Sequence, residues 1–515
     1  MLASQFRGKF KAAGQRKIGL SLRLSCAALF LLTFCAQGSQ AQVTDARVEV
    51  LSTSPARVRV EGERRQGAKV WAFRNTYASM VGIGERVENF SVKNAQGESI
   101  EVKKTAPGEY TAPVDATRFS YEVKLEPPTF TTDSAYVSWL TAERGFLMLG
   151  DLLPLAASAQ APVNIRFSLP AGWTVFSNET RGSDGQFAVK EQMAARFFVG
   201  RDLRERRARA GSMDFSVVVA GDWAFTDEEV AEAAQNILKE HERVMGGAAT
   251  QSGVMLMLSP YPRSLGGERW SAEARGGNVV LLAGRHPSKI AGLALLSTPL
   301  THELFHLWVP NALALDGNYD WFYEGFTLYQ AMRAGMRLGM LTFQDYLNAM
   351  GRANDLYLSA SDRDKWSLVE ASERRWSGAT TLIYNKGMLA AFLYDLYLRE
   401  QSGGKRSLDD VYKELFRLYG RAGVRREGNS AVLAALSGAG EMRDFVKRYI
   451  ESPNAIDLKS ALAAYGLQIL PGGVRTHVQV ADSLSRGQRD LLRQLGYNEK
   501  VERDRRSARP KSASR

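Results

Sequence analysis

The spacing of apolar residues changes once along this 515-residue chain, and that change limits what each half can fold into. From residue 43 to about 220 the period is two. Val48 and Val50, Val58 and Val60, then Phe119, Tyr121, Val123 and Leu125, then Val163, Ile165, Phe167 and Leu169 alternate with polar neighbours, and Gly, Pro, Asn and Asp separate the runs. Residues two apart share one face of a strand, so this stretch predicts an antiparallel β domain. At Thr226 the period becomes helical. Thr226 and Glu229 form a capping box, Val230, Ala234, Ile237 and Val244 fall on one face, and Gly246-Gly247 ends the helix. Short strands are predicted at 254–258 and 278–283. Beyond Ser288 the chain reads as helices, one capped by Ser407 with Leu408, Val411, Leu415 and Leu418 inward, others near 430–450 and 457–465. The expected fold class is α+β and multidomain: an N-terminal antiparallel β domain at 42–220, a mainly helical domain at 221–470, and a short extension at 471–502.

The two ends carry the charge. The formal net charge is +12, but residues 1–41 hold six basic side chains (Arg7, Lys9, Lys11, Arg16, Lys17, Arg23) and no acidic one, and residues 503–515 hold six more against Asp504. The body between them is close to neutral, whereas a nucleic-acid-binding protein carries its basic stripe on the folded body. No nucleic-acid partner is therefore expected. The Arg- and Ser-rich tail at 503–515 has too few apolar residues to offset its ordering entropy, so it is expected to be a solvated, disordered end. At the other end, the apolar run at residues 24–35 (LSCAALFLLTFC) follows the basic stretch and precedes Ser39 and Ala41, the small residues of a signal-peptide cleavage site. Twelve residues at 1.5 Å rise fall short of the ~20 that span a bilayer. The expectation is a signal peptide at 1–41 cut after Ala41, export to the periplasm or outside the cell, and a mature chain with no transmembrane segment. Both cysteines, Cys26 and Cys35, leave with it, so neither a disulfide nor a cysteine ligand or nucleophile is expected.

The chemistry lies in TPLTHELFHLWVPN, where His302, Glu303 and His306 form H-E-x-x-H. On a helix, residues four apart point within about 40° of each other, so both imidazoles can share one cation, and Glu303 lies about 100° round, near the water such a cation binds. Chance yields this pattern in roughly three chains per thousand of this length. A zinc ion needs a third protein ligand. Glu324, in DWFYEGFTLYQ, is a carboxylate between Trp321, Phe322, Tyr323 and Phe326, an arrangement that is costly unless the charge is paired or metal-bound. The alternatives are poorer: Ala312 stands six beyond His306, and Asp316 and Asp320 read as an exposed inter-helix turn. The expected cofactor is one Zn2+ held by His302, His306 and Glu324. A fourth position stays open for water, whose pKa falls towards ~7. Glu303 can take its proton and pass it to a leaving amine. Tyr384, in TLIYNKGMLAAFLYDLYLRE, is the candidate oxyanion donor, with Tyr394 and Tyr397 read as core aromatics.

In order along the chain, HELFHLW, WFYEGFTLY, IYNKGMLAAFLYDLYLRE and GGKRSLDDVYKELF resemble the glycyl aminopeptidase family of gluzincin metallopeptidases, and HELFHLWVPN with YNKG resembles, more distantly, the aminopeptidase-N branch. The likeness is strong over about 298–418 and weaker over 115–470. It implies a thermolysin-like, mainly helical catalytic domain, zinc on His302, His306 and Glu324, Glu303 as base, and Tyr384 steadying the tetrahedral intermediate. The implied partners are peptide or protein substrates; oligomeric state is not implied. The sequence departs from the family in three places. Seventeen residues separate His306 from Glu324, one fewer than in the aminopeptidase-N branch. The family's C-terminal PDZ domain is expected to be missing, because only about 45 residues follow Leu470. Asn278 and Val279 stand where aminopeptidases of this superfamily carry a glutamate that grips the substrate's free amine. Glu273 and Glu268 are nearby substitutes, so amine recognition is expected to be weak or to come from one of them. The expected activity is that of a secreted zinc peptidase, aminopeptidase-like, with a catalytically idle binding or scaffold protein as the alternative.

Overall fold

The structure, a computed structural model, describes residues 43–500 except 157–160, 251–252, 264–269, 421–423, 439, 441 and 472. The expected signal peptide, the basic tail and Glu268 lie outside the described residues. Among those described, no helix is long and apolar enough to cross a membrane.

A nine-stranded sheet opens the fold, with β1 (Thr44–Thr53), β2 (Ala56–Ala72), β3 (Glu109–Lys124) and β4 (Val163–Ser168) adjacent in the order β4-β1-β2-β3. The alternation sets its register: Val48 lies opposite Val60, and Val60 opposite Tyr121, all buried on one face. One pair departs from the antiparallel expectation. β1 and β4 run parallel, which the long connection between them allows because no hairpin joins them.

A second, four-stranded sheet includes Arg144–Met148 and Arg196–Gly200, whose residues are all buried. Its two faces serve two cores. Leu147, Phe197 and Val199 pack with the first sheet, while Phe146, Met148 and Phe198 pack on Val218, Met255, Met257, Val280 and Leu282. A strand covered on both sides loses polar alternation, which is why GFLM and FFVG, after Arg144 and Arg196, read as continuous apolar runs.

The third sheet has the order β5-β6-β7-β9-β8, with β5 (Arg204–Ala210), β6 (Met213–Val219), β7 (Val254–Pro260), β8 (Trp270–Arg275) and β9 (Asn278–Ala283). β6, β7 and β9 are parallel neighbours. Helix α1 (Asp227–Met245), capped by the reciprocal Thr226 and Glu229 bonds and ended at Gly246 with φ 76°, is the crossover from β6 to β7. The boundary expected near residue 220 thus falls inside this sheet. β8 and β9 close through Gly276-Gly277, with Arg275 opposite Asn278 and Gly276 at φ 55°, the left-handed conformation that a two-residue hairpin requires.

Helices α2 (Lys289–Phe305), α3 (Thr327–Arg337), α4 (Phe343–Ser359), α5 (Gly387–Gln401) and α6 (Leu408–Tyr419) follow, and shorter helices at Gly428–Ser437, Arg443–Tyr449 and Leu458–Ala463 lie where the sequence predicts helices. In α6 Leu408, Val411 and Leu415 are buried as expected, but Leu418 is exposed at the last turn and Tyr412 fills the core instead. Val478, Val480, Leu491, Leu492 and Leu495 belong to the same core as α2 to α6. Arg333 donates to the Leu495 carbonyl at 2.6 Å, so the extension is part of the helical body.

Candidate active site

His302 and Glu303 occupy the last turn of α2, and His306 is its cap residue with φ −61°. The helix end aims the second imidazole: His306 Nδ1 lies 2.8 Å from the Val309 carbonyl, which can only accept, so Nδ1 carries a proton and, in the neutral imidazole, Nε2 is the lone-pair donor. His302 Nε2 is 3.1 Å from His306 Nε2. Glu324 sits on a widened π-type turn, Trp321–Phe326, and its Oε2 is 3.3 Å from His302 Nε2 and 3.4 Å from His306 Nε2. All three residues are buried, and Oε2 receives no well-directed hydrogen bond. Tetrahedral zinc with bonds of ~2.0–2.1 Å needs donor atoms ~3.3 Å apart, so this triangle of two nitrogens and one oxygen fits the ion. Among the described residues this is the one group able to hold a metal.

The electrostatics follow from burial against close charges. Burial alone would raise Glu324, but the His306 and Arg375 charges reverse this and hold it well below the usual carboxylate range. Burial also opposes a charge on His306, yet Glu324 overrides it and pushes that imidazole up to about 9. His302 is pushed down by burial and then by the His306 charge. Burial raises Glu303 to about 8, with Glu324 and Glu273 adding to the effect against the opposing His306 charge.

Glu303, His306, Glu324 and Tyr384 line one cavity of about 490 Å³. Tyr384 lies on a second π-type turn, Leu382–Lys386, and its hydroxyl accepts from Arg375 Nη2 at 3.1 Å. Tyr394 donates to the Leu436 carbonyl at 2.8 Å and is a buried core residue, as expected. Asp316 is exposed and paired with Arg425, but Asp320 is not the exposed turn residue expected: Arg375 Nη1 lies 2.8 Å from it and allows its burial.

Several cavity residues escape a reading of the sequence. Tyr77 and Tyr136 come from the N-terminal part, and Arg275 and Arg375 have no motif around them. At the hairpin, Glu273 on the edge strand β8 lines the cavity, while Asn278 is buried with its amide 3.5 Å from the Ala194 carbonyl, away from the triad. Glu273 is already committed. Arg196 Nη2 lies 2.9 Å from its Oε2, Arg275 Nε lies 3.5 Å from Oε1, and the Tyr77 hydroxyl bonds Oε1. Burial would raise its pKa, but the two guanidinium charges hold it below the usual range.

The layered fold is shared with solved two-domain structures. A crystal structure of an aminopeptidase N family protein from Idiomarina loihiensis superposes with a TM-score of 0.73 at 18% identity, covering 83% of this chain and 79% of that one. The M1 zinc metallopeptidase from Deinococcus radiodurans superposes with a TM-score of 0.52 at 16% identity, covering 81% and 95%. At these identities the likeness is one of fold. Within the chain, residues 77–193 match the family described as the Peptidase M61 N-terminal domain, a stretch that carries Tyr77 and Tyr136. No curated protein matches the chain by sequence.

Proposed function

We propose that this chain is a zinc-dependent metallopeptidase, aminopeptidase-like, that hydrolyses peptide bonds with one zinc ion on His302, His306 and Glu324, and that it is exported by a signal peptide cut after Ala41. The observation that carries the reading is the triangle of donor atoms 3.1 to 3.4 Å apart, opening into the same cavity as the buried Glu303. The peptidase family match and the zinc metallopeptidase that shares the fold point the same way. Bound zinc supplies a Lewis acid that polarises a carbonyl and acidifies water. Glu303, which lines the same cavity, takes the proton from water and returns it to the leaving amine. Tyr384 donates to the oxygen that gains charge at the tetrahedral carbon. Tyr77, Tyr136, Tyr323 and Trp376 line the cavity. A cavity of about 490 Å³ suits a peptide end or a short segment. An idle binding module would need neither the donor set nor Glu303, and no observation favours it.

The test is elemental analysis of the purified mature chain joined to a peptide-library digest before chelation, after it, and after zinc is restored. One zinc per chain and cleavage that follows the metal are expected. A chain without zinc, or with cleavage indifferent to its removal, refutes the proposal.

A further inference from the structure

We infer that Arg375 is a positioning residue that couples the third metal ligand to the oxyanion donor, an inference that rests on the metallopeptidase reading. Its guanidinium, 15% exposed, meets four acceptors on two turns. Nη2 lies 2.9 Å from Glu324 Oε1 and 3.1 Å from the Tyr384 hydroxyl, while Nη1 lies 2.8 Å from Asp320 Oδ1 and 3.3 Å from the Tyr323 hydroxyl. The Trp376 ring lies against it, with the guanidinium carbon 4.7 Å from the ring centroid.

Two consequences follow for the site. First, Glu324 Oε1 is taken by Arg375, so only Oε2 faces the imidazoles and is the carboxylate oxygen that would hold a metal ion. Asp320 supplies a second negative charge to the guanidinium, so Arg375 does not cancel the Glu324 charge that a divalent cation requires. Second, an Arg N–H donated to the Tyr384 oxygen occupies a lone pair there and fixes the hydroxyl, which also borders the Glu324 carboxylate, at the cavity wall. A donor that accepts from a cation is also the stronger donor. The planar fork is needed for both tasks, because an ammonium is a point charge and cannot hold the four acceptors in this geometry.

The test uses the full mature chain, with zinc itself as the probe. Zinc affinity is measured by competition with a chromogenic chelator for wild type, Arg375→Ala and Arg375→Lys. Arg375→Ala is expected to bind zinc about 10- to 100-fold more weakly, the usual cost of losing a partner of a metal ligand. Arg375→Lys is expected to recover part of that affinity, because the charge beside Glu324 remains. Turnover of the library peptide that wild type cleaves fastest, with zinc saturating, gives the other half: both variants lose kcat with KM nearly unchanged, and adding Tyr384→Phe to either lowers kcat no further. Wild-type zinc affinity in folded Arg375→Ala overturns the inference, as does a Tyr384→Phe effect that multiplies in full on top of it. Should Arg375→Ala fail to fold, wild-type zinc affinity and wild-type kcat in Arg375→Lys overturn it. Absence of zinc binding by wild type defeats the metallopeptidase reading itself, which separates the two failures.

Discussion

Gly325 and Gly387 meet backbone to backbone between the turn that carries Glu324 and the turn that carries Tyr384. A Cβ on Gly325 would fall 2.6 Å from the Gly387 Cα, and one on Gly387 would fall 3.0 Å from the Gly325 Cα. No side chain fits between the two turns, and this sets the span that Arg375 bridges. Gly325→Ala should force them apart, destabilise the fold by about 1–3 kcal/mol as overpacking does, and weaken zinc binding. Gly387→Ala should do less. Thermal unfolding and a zinc titration check both, and wild-type zinc affinity in Gly325→Ala would show that the contact does not govern the site.

His302→Ala and Glu303→Gln should separate binding from chemistry. The first removes one donor of the triangle and should empty the site in elemental analysis. The second keeps the donors but removes the base, so zinc should stay near one per chain while turnover falls by about 10²- to 10⁴-fold. Retained turnover in Glu303→Gln would take that residue out of the mechanism.

Tyr384→Phe deletes one hydroxyl and almost no volume. Its melting temperature should match wild type, while kcat drops by about 10² or more, the scale of one lost oxyanion donor. Activity within a few-fold of wild type would reduce the tyrosine to packing.

Lys386, the last residue of the turn that carries Tyr384, is fully buried and its Nζ has no hydrogen-bond partner. Burial pushes its pKa down to about 8, below the value of the unfolded chain. The unfolded state therefore binds the extra proton between pH 8 and ~10.4, and the contribution of Lys386 to stability rises with pH across that window. Below pH 8 the full penalty is present. Lys386→Met should accordingly be more stable than wild type at pH 7, and the gap should shrink as the pH climbs from 8 to 10. Urea midpoints for the pair across that range give the answer; a constant gap would place the lysine in water rather than in the core.

Free and N-acetylated versions of the same peptides should be cleaved more evenly by this chain than by an enzyme with an uncommitted carboxylate at its amine site. Glu273 faces the cavity but already balances Arg196 and Arg275, and an ion pair discriminates strongly only where the partner charge is otherwise unmet. A paired digest decides, with Glu273→Gln beside it. Cleavage restricted to free amines, and lost in Glu273→Gln, would show that the substrate ammonium displaces an arginine.

The parts of the site that were legible are those whose chemistry is local. His302, Glu303 and His306 follow from the pitch of one helix, and Glu324 stands out as a charge among Trp321, Phe322 and Phe326. Arg375 was not legible because its four acceptors gather only when two turns dock, and nothing in Arg374-Arg375-Trp376 marks that event. Tyr77 and Tyr136 lie more than 150 residues before the motif and reach it through tertiary packing alone. β5 and β6 fall within the stretch read as period two, but alternation cannot say which sheet they join, since it reports a half-covered face and not the neighbour that hydrogen-bonds to it. Asp320 was read as a surface carboxylate because its counter-charge comes from a distant turn.

The sheet that runs from β5 to β9 has a practical meaning for anyone who would cut this protein in two. A break at residue 220 would strip β5 and β6 from β7 and expose the backbone of a buried parallel strand, an open template for association with other chains. The N-terminal piece would likewise carry away a hairpin whose Phe215, Val217 and Val219 have no other core to enter. Any separable catalytic fragment must begin ahead of Arg204, so the usable seam in the polypeptide lies on the amino side of that hairpin and not where the apolar rhythm turns helical.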